Sequence, residues 1–242
     1  MKILALDTAT EACSAALFID GDITSHYQLA PREHSRLILK MIDELLHQAK
    51  LPVSQLDAIA FGRGPGSFMG LRIAAGVVQG IAFAHDLPVI AVSCLLSIAQ
   101  RAYEQTGCGQ VMTAIDARMA EVYWACYRQQ AGQWQIESEE CVISPDNIQL
   151  PATVLPAGEA WVGAGTGWGS YKDRLLAAQC PLVIAPYGCQ LPTILPDCLP
   201  SAETIVKLAV DELKAGNTVS AADAIPVYLR NDVAKKPRPV VL

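Results

Sequence analysis

The amino-acid sequence predicts an α/β protein whose two lobes repeat one order of elements. Residues 2–7 and 110–116 are short apolar runs that end in an aspartate, Asp7 and Asp116, and such runs are typical of buried strands. Each run is followed by further strand patterns in hairpin succession. The segments after the first set of strands have the spacing of amphipathic helices. Together these observations predict a repeated α/β unit.

The first unit contains three strands followed by alternating helices and strands. Its predicted elements are strands at 2–7, 13–19 and 23–29, a helix at 31–48, a strand at 57–62, a helix at 70–84, a strand at 88–92 and a helix at 94–105. The pair Asp20-Gly21 supplies a hairpin turn. Apolar residues of the first helix repeat at every fourth position in two adjacent rows. This order is that of a ribonuclease-H-like unit.

The second unit begins after residues 106–109 and is less clearly marked. Its predicted strands are at 110–115, 122–127 and about 134–142, whereas 145–200 is rich in Pro and Gly. Ser201 is placed to cap a helix that Gly216 ends. Two such units describe the actin-like ATPase and sugar-kinase (ASKHA) fold, in which the Asp loops hold phosphate and metal between the lobes.

The predicted organisation has three parts. They are a ribonuclease-H-like lobe at 1–106, a smaller degenerate lobe at 107–231 and a flexible basic tail at 232–242. The last helix of the second lobe can pack back on the first lobe. The tail carries Lys235, Lys236 and Arg238 among prolines. It is expected to be a poorly ordered, solvated end, or to make an electrostatic contact with RNA or with a partner.

Composition narrows the class of protein. Of the 242 residues, 52% are hydrophobic and 17% charged, which is enough for one large or two small packed domains. The net charge of −6 argues against non-specific nucleic-acid binding, because phosphate contacts need clustered Lys and Arg. No apolar run is long enough for a membrane span, and no leader sequence is predicted. The eight cysteines form no Cys-x-x-Cys pair, so reduced core thiols in a cytoplasmic protein are expected.

The most specific motif is Gly-Arg-Gly-Pro-Gly-Ser-Phe-Met-Gly-Leu-Arg at residues 62–72. Glycines permit a tight loop that leads into a helix N-terminus, which is a ready anion site. Phosphate binding and a purely structural strand-to-helix turn are both consistent with it. The loop is not a Walker A motif, because no Lys follows the glycines at the required spacing.

Three further motifs accompany this loop, at residues 3–8, 115–123 and 226–231. Together the four motifs resemble the TsaB (YeaZ) family over nearly the whole chain. The resemblance implies a non-catalytic scaffold and activating subunit of the bacterial complex that forms N6-threonylcarbamoyladenosine next to the anticodon of ANN-decoding tRNAs. It implies TsaD as the catalytic partner, TsaE as an ATPase partner, contact with tRNA through the complex, and a weak homodimer when the chain is alone.

The loops that would hold nucleotide are degenerate. Asp7-Thr8-Ala9-Thr10 lacks the glycine of the Asp-x-Gly-Thr loop of actin-like ATPases, and the loop at Asp116 lacks glycines altogether. Glycines at 163–167 resemble a nucleoside-side loop only weakly. Without phosphate-facing glycines a loop loses backbone donors. The chain alone is therefore expected to bind no cofactor, and ATP is expected to be used by the complex.

Metal and nucleophile sites are not predicted. The catalytic subunit of the same pathway carries a metal-binding His-x-x-x-His where this chain has Cys94 and Ile98, and the four histidines form no ligand-spaced pair. Ser67 lies outside a Gly-x-Ser-x-Gly motif, so a protease is not supported. No catalytic residue is predicted, and a free-standing ATPase or kinase of the actin-like fold remains the alternative function.

A surface that contacts a partner protein is the remaining candidate for a functional site. The resemblance implies that the first two helices pair with TsaD. The candidate interface residues are Leu37, Met41, Leu45, Gly70, Ile73, Ala74, Val77, Gly80 and Ile81. Val77 and Ile81 are predicted at the centre, and Leu37, Met41 or Leu45 at an edge. The alternative is that both helices bury these residues against their own sheet, as apolar stripes commonly do.

Overall fold

The computed structural model describes residues 1–149, 161–183 and 193–230, without the side chains of 179–183. Within these ranges the chain forms two mixed five-stranded sheets flanked by α-helices. The predicted tail at 232–242 lies outside the described residues. The α/β fold of two ribonuclease-H-like lobes is confirmed by the strand order of the two sheets.

The first sheet has the spatial order β3-β2-β1-β4-β5. Its strands are β1 (Lys2–Asp7), β2 (Ala12–Ile19), β3 (Asp22–Leu29), β4 (Ala58–Gly64) and β5 (Val89–Ser93). The first three pair antiparallel, whereas β4 and β5 run parallel to β1. The central strand β1 is apolar without alternation because both of its faces are covered. Asp20 and Gly21 have positive φ values of 49° and 115° and form the predicted hairpin turn.

The second sheet repeats this arrangement with the order β10-β9-β6-β7-β8. Its strands are β6 (Gln110–Asp116), β7 (Val122–Gln130), β8 (Gln133–Ile143), β9 (Val162–Ala164) and β10 (Thr193–Leu195). Again the first strand is central: β6, β7 and β8 pair antiparallel in succession on one side, and β9 and β10 run parallel to β6 on the other. Strands β9 and β10 have only three residues each, which is too short for a periodic pattern in the sequence.

Five α-helices cover the sheets in the described ranges. They are α1 (His34–Gln48), α2 (Phe68–His85), α3 (Cys94–Thr106), α4 (Thr166–Val183) and α5 (Ala202–Ala215). The first two pack on one face of the first sheet, and α5 packs on its other face. Helix α3 packs against the second sheet, and α4 covers the opposite face of that sheet. Ser201 caps α5 by accepting a hydrogen bond from the Thr204 N–H, and Gly216 ends the helix with a positive φ, as predicted.

The last described segment crosses between the lobes. After α5 the chain pairs at Val219 with Val89 of β5, and the Val227 N–H then donates to the Arg63 carbonyl at 2.8 Å. The Arg230 guanidinium donates to the Ala117 carbonyl at 2.9 Å and to Glu121 at 2.5 Å. This segment therefore connects β4 of the first sheet to the turn after β6 of the second.

Candidate functional site

Asp7 ends β1 and is completely enclosed by protein. Its carboxylate accepts a hydrogen bond from the Ala9 N–H at 3.1 Å, and the Cys94 thiol lies 3.6 Å from the other oxygen. Burial raises the pKa of Asp7 to about 7, and these two hydrogen bonds offset the effect only in part. A Cβ at Gly62 would overlap the Asp7 carboxylate. The carboxyl group therefore belongs to the core and does not face a ligand.

The glycine motif packs directly onto the loop that follows Asp7. The Ser67 N–H donates to the Ala9 carbonyl at 2.7 Å, and the Thr8 hydroxyl donates to the Gly70 carbonyl at 2.7 Å. A Cβ at Gly66 or Gly70 would overlap the backbone of Ala9 or Thr8. These glycines therefore permit a close approach of two backbone segments. The structure supports a structural role for the motif, because the Ser67 N–H is already bound to the Ala9 carbonyl of the same chain.

Asp116 ends β6 and is held by neighbouring side chains. Its carboxylate accepts a hydrogen bond from the Arg118 N–H at 2.8 Å and lies 3.2 Å from the Arg118 guanidinium. The hydroxyls of Ser170 and Tyr171 approach it at 3.4 Å each. The guanidinium also lies 3.6 Å from Glu11 of the first lobe. An arginine of the chain thus neutralises both acids at this end of the cleft between the lobes.

The turn after Asp116 has a strained backbone. Arg118, Met119 and Ala120 have positive φ values of 62°, 55° and 60°, a conformation that costs an L-residue about 1–2 kcal/mol each. The Ala117 N–H donates to the Glu121 carbonyl and the Glu121 N–H to the Arg118 carbonyl, which closes the turn, and Arg230 binds to both Ala117 and Glu121. The motifs at 115–123 and 226–231 have no local pattern that predicts a structural role. The structure shows that they bind each other.

The glycines at 163–167 serve packing within the second lobe. A Cβ at Gly165, where φ is 109°, would overlap the Ala114 carbonyl, and one at Gly163 would lie 2.6 Å from the Trp168 ring. The Thr166 hydroxyl accepts a hydrogen bond from the Asp116 N–H at 3.0 Å. Packing against β6 or α4 therefore explains these glycines without a nucleoside-binding role.

A cleft of about 910 Å³ lies between the two lobes, beside the loop after Asp7, the glycine motif and the loop at Asp116. Its rim is formed by Arg32, Arg72, Phe68 and Tyr228, and His34 lines its wall. The Arg72 guanidinium lies 3.8 Å from the centre of the Phe68 ring. None of these five residues was a sequence-predicted site residue. Phe68 and Arg72 lie within the glycine motif and Tyr228 within the motif at 226–231, whereas Arg32 and His34 belong to neither motif.

The positions compared with metal and nucleophile sites lie in structural roles. Cys94 and Ile98 are both buried in the core, and burial raises the pKa of the Cys94 thiol well above its usual range. In the described ranges no three His, Cys, Asp or Glu side chains are grouped to hold a metal ion. Ser67 caps α2 by accepting the Gly70 N–H, and no described histidine hydrogen-bonds to it. The structure therefore offers no activated nucleophile at Ser67.

The predicted interface residues divide between core and surface, which corrects part of that prediction. Leu37, Met41 and Leu45 are only 8%, 6% and 1% exposed. They were predicted at an accessible edge, but both apolar rows of α1 pack on the sheet. Gly70 and Ala74 are also buried. These five residues contact the chain's own core, so a partner cannot reach them in this structure.

The outer face of α2, defined by Met69, Ile73, Gly76, Val77, Gly80 and Phe83, is apolar and accessible. Met69 is 63% and Phe83 85% exposed. Ile73, Val77 and Ile81 are half-buried against the core. A Cβ at Gly76 or Gly80 would meet no atom within 4 Å. Among the described helices α2 alone is long and apolar enough to cross a membrane by length and composition, but its opposite face packs on the sheet.

Comparison with known proteins identifies relatives over the full length. Residues 25–237 match the family model described as TsaD, tRNA N6-adenosine threonylcarbamoyltransferase. The chain is 44% identical to the tRNA threonylcarbamoyladenosine biosynthesis protein TsaB of Escherichia coli over 99% of both chains. It is 41% identical to the Haemophilus influenzae protein of the same name over 99% of this chain and 98% of the other.

A solved structure has the same fold. The crystal structure of a Pseudomonas aeruginosa protein described as similar to peptidase YeaZ is 47% identical, with a TM-score of 0.83 over 95% of this chain and 99% of the other. A second structure, described as YeaZ of the same organism, is 46% identical with the same TM-score.

Proposed function

The chain belongs to the TsaB family of tRNA threonylcarbamoyladenosine biosynthesis proteins, and on this premise we propose that it is a non-catalytic subunit that binds and stabilises TsaD. Family membership itself establishes a role in the biosynthesis of threonylcarbamoyladenosine in tRNA. In the proposal the transfer reaction takes place on TsaD, the ATPase TsaE joins the pair, and tRNA binds to the assembled complex. This chain alone binds no cofactor, and the complex uses ATP.

The two degenerate Asp loops and the glycine motif support a non-catalytic role. Asp7 is enclosed in the core, and Asp116 is bound by Arg118. The glycine motif directs the Ser67 N–H to the Ala9 carbonyl. Phosphate and metal binding need accessible carboxylates and unpaired backbone N–H groups. Here the two carboxylates and the Ser67 N–H make internal contacts instead.

The observation that carries the proposal is the outer face of α2. Large apolar side chains exposed along one helix face are typical of a contact surface, because water-exposed apolar area is unfavourable. Gly76 and Gly80 have open space above them, so the backbone of a second helix can approach closely there. Leu39 of the neighbouring α1 is 56% exposed and adds apolar area. A helical surface on TsaD is the proposed binding partner of this face, and a second copy of this chain is the weaker candidate.

The test is to place a charge on this face. Phe83→Asp and Met69→Asp should reduce co-elution with TsaD at least tenfold, because an unpaired charge would be desolvated in the contact, while the melting temperature stays near normal. Ile136→Asp is the matched control, since Ile136 is 63% exposed on β8 of the second lobe. Full co-elution of both charged α2 variants would remove this face from the proposal.

The alternative function, a free-standing ATPase or kinase, is favoured only by the cleft between the lobes. Its volume of about 910 Å³ is sufficient for a nucleotide-sized ligand. Calorimetric titration of the isolated chain with ATP and Mg²⁺ distinguishes the two functions. Micromolar affinity would favour the alternative, and absence of measurable heat would favour the scaffold.

A further inference from the structure

A cation and aromatic cluster lies at the mouth of the cleft. We define the rim cluster as Arg32, Arg72, Phe68 and Tyr228. The Arg72 guanidinium lies over the Phe68 ring at 3.8 Å, and its Nε donates to the Tyr228 hydroxyl at 3.3 Å. The two rings are 5.3 Å apart between centroids. Phe68 is 49% and Tyr228 42% exposed, so aromatic rings and a planar cation are held together at the surface.

The rim cluster is cationic although the chain is acidic. Neither Arg32 nor Arg72 forms an ion pair with a described carboxylate. The acids that line the same cleft, Glu11 and Asp116, are already paired with Arg118. The chain as a whole has 24 acidic and 18 basic residues. Two arginines without carboxylate partners beside one cleft therefore attract an anion locally.

The wall below the rim cluster holds an unsatisfied polar group. His34 lines the cleft and is 9% exposed. Its Nε2 atom is buried and has no hydrogen-bonding partner among the described residues. Buried polar atoms are nearly always hydrogen-bonded, to protein, water or a ligand. Among the described residues that line the cleft, His34 alone has such an atom, and because this atom is enclosed it is not itself a contact for a ligand.

We propose that the rim cluster binds one unpaired RNA nucleotide, with its base stacked on the exposed side of the Arg72–Phe68 pair and its phosphate beside Arg32 and Arg72. The inference rests on the proposed function, because tRNA is the substrate of the complex. Single-stranded bases stack on aromatic rings and on guanidinium planes, and each stacked base contributes roughly 1–3 kcal/mol. A triphosphate is a poorer fit, since the Ser67 N–H beside the cleft is bound to the Ala9 carbonyl.

The cluster is small, so the contact is local. The single phosphate of the bound nucleotide is the one that the two arginines neutralise, which predicts a slope of about −0.7 for log affinity against log salt. This is consistent with the acidic composition, because the chain would position one nucleotide while other subunits hold most of the tRNA.

The experiment measures fluorescence anisotropy of a labelled adenosine hexaribonucleotide titrated with the full chain at low salt. Arg72→Ala and Phe68→Leu should each weaken binding about 5- to 100-fold. Arg72→Lys should weaken it as well, because lysine keeps the charge but has no planar group for stacking. Lys50→Gln is the control. It removes one exposed charge that follows the end of α1, whereas Arg32 precedes its start, so binding should be unchanged. Thermal melting verifies that each variant is folded.

Competition and co-elution exclude other occupants. A self-complementary RNA duplex and ATP should both compete poorly, and full displacement by micromolar ATP would assign the cluster to a free nucleotide and overturn the proposal. Arg72→Ala should still co-elute with TsaD; loss of that co-elution would assign Arg72 to the partner contact instead. RNA binding unchanged in folded Arg72→Ala and Phe68→Leu would also overturn it. The RNA titration needs no partner, so it fails independently of the TsaD test.

Discussion

At the scale of single residues, burial stabilises the protonated form of the Asp7 carboxyl group. No described cation pairs with it, and complete burial raises its pKa to about 7 from an ordinary 3.8. Between pH 3.8 and about pH 7, the folded chain retains a proton on Asp7 that the unfolded chain releases. The folded state therefore binds more protons, and its stability decreases as pH rises through this window.

Replacement of Asp7 by asparagine removes this pH dependence. Asp7→Asn keeps an oxygen that can accept the Ala9 N–H, but it cannot ionise. Above pH 7 the variant should be more stable than the wild type by a few kcal/mol, on the order of 4 at most, and near pH 4 the two should be nearly equal. Urea unfolding at pH 4, 6 and 8 measures the difference. Parallel stability curves for the two proteins would contradict the assignment of the proton to Asp7.

At the scale of elements, α2 has two faces with opposite requirements for glycine. On the inner side Gly70 lies against the Thr8 backbone, where a Cβ has no space. On the outer side Gly80 is exposed and has an open surface above it. The same residue type thus permits close packing within the chain at one position and leaves space for a partner at the other.

Substitutions at these glycines should act in opposite directions. Gly70→Ala should lower the free energy of unfolding by about 3 kcal/mol, because backbone must move to admit the methyl group. Gly80→Leu should raise it by about 0.5–1 kcal/mol through helix propensity, yet weaken co-elution with TsaD by blocking close approach. Ala215→Leu, on the exposed end of α5, is the control for added bulk. A Gly80→Leu variant that still co-elutes fully would place the contact elsewhere.

At the scale of the whole molecule, polar side chains connect the two sheets across the interlobe contact. Arg63 of β4 lies 3.3 Å from Glu140 of β8, whose carboxylate also accepts the Tyr127 hydroxyl at 2.9 Å. The Glu140 side chain is 10% exposed. The same hydroxyl lies 3.4 Å from Ser93 of β5. With the segment from Val227 to Arg230, this network supports a fixed relation between the lobes.

Removal of one partner of this ion pair should cost more than removal of both. Arg63→Met leaves the Glu140 carboxylate buried without its cation and should destabilise the chain by about 3 kcal/mol. The double variant Arg63→Met/Glu140→Gln should recover part of that loss. Urea unfolding measures both, and a separate first transition would reveal independent unfolding of one lobe. Equal stability of wild type and Arg63→Met would show that the ion pair does not join the lobes.

By itself, the sequence determined the features that depend on local pattern. The strands that end in Asp7 and Asp116, the turn at Asp20-Gly21 and the cap at Ser201 were predicted and are confirmed, because periodicity and capping involve neighbouring residues. The fold class followed from their order, and the motifs indicated the family.

Only the tertiary structure decided what covers each surface. Periodicity shows that Leu37, Met41 and Leu45 share a face, but not that the sheet buries it. The glycine motif is compatible with phosphate binding until the Thr8 and Ala9 backbone is seen against it. The contacts of Arg118 with Glu11 and of Arg230 with Glu121 join residues more than 100 positions apart. Such contacts leave no local pattern, because side-chain partners are set by how the two sheets pack together.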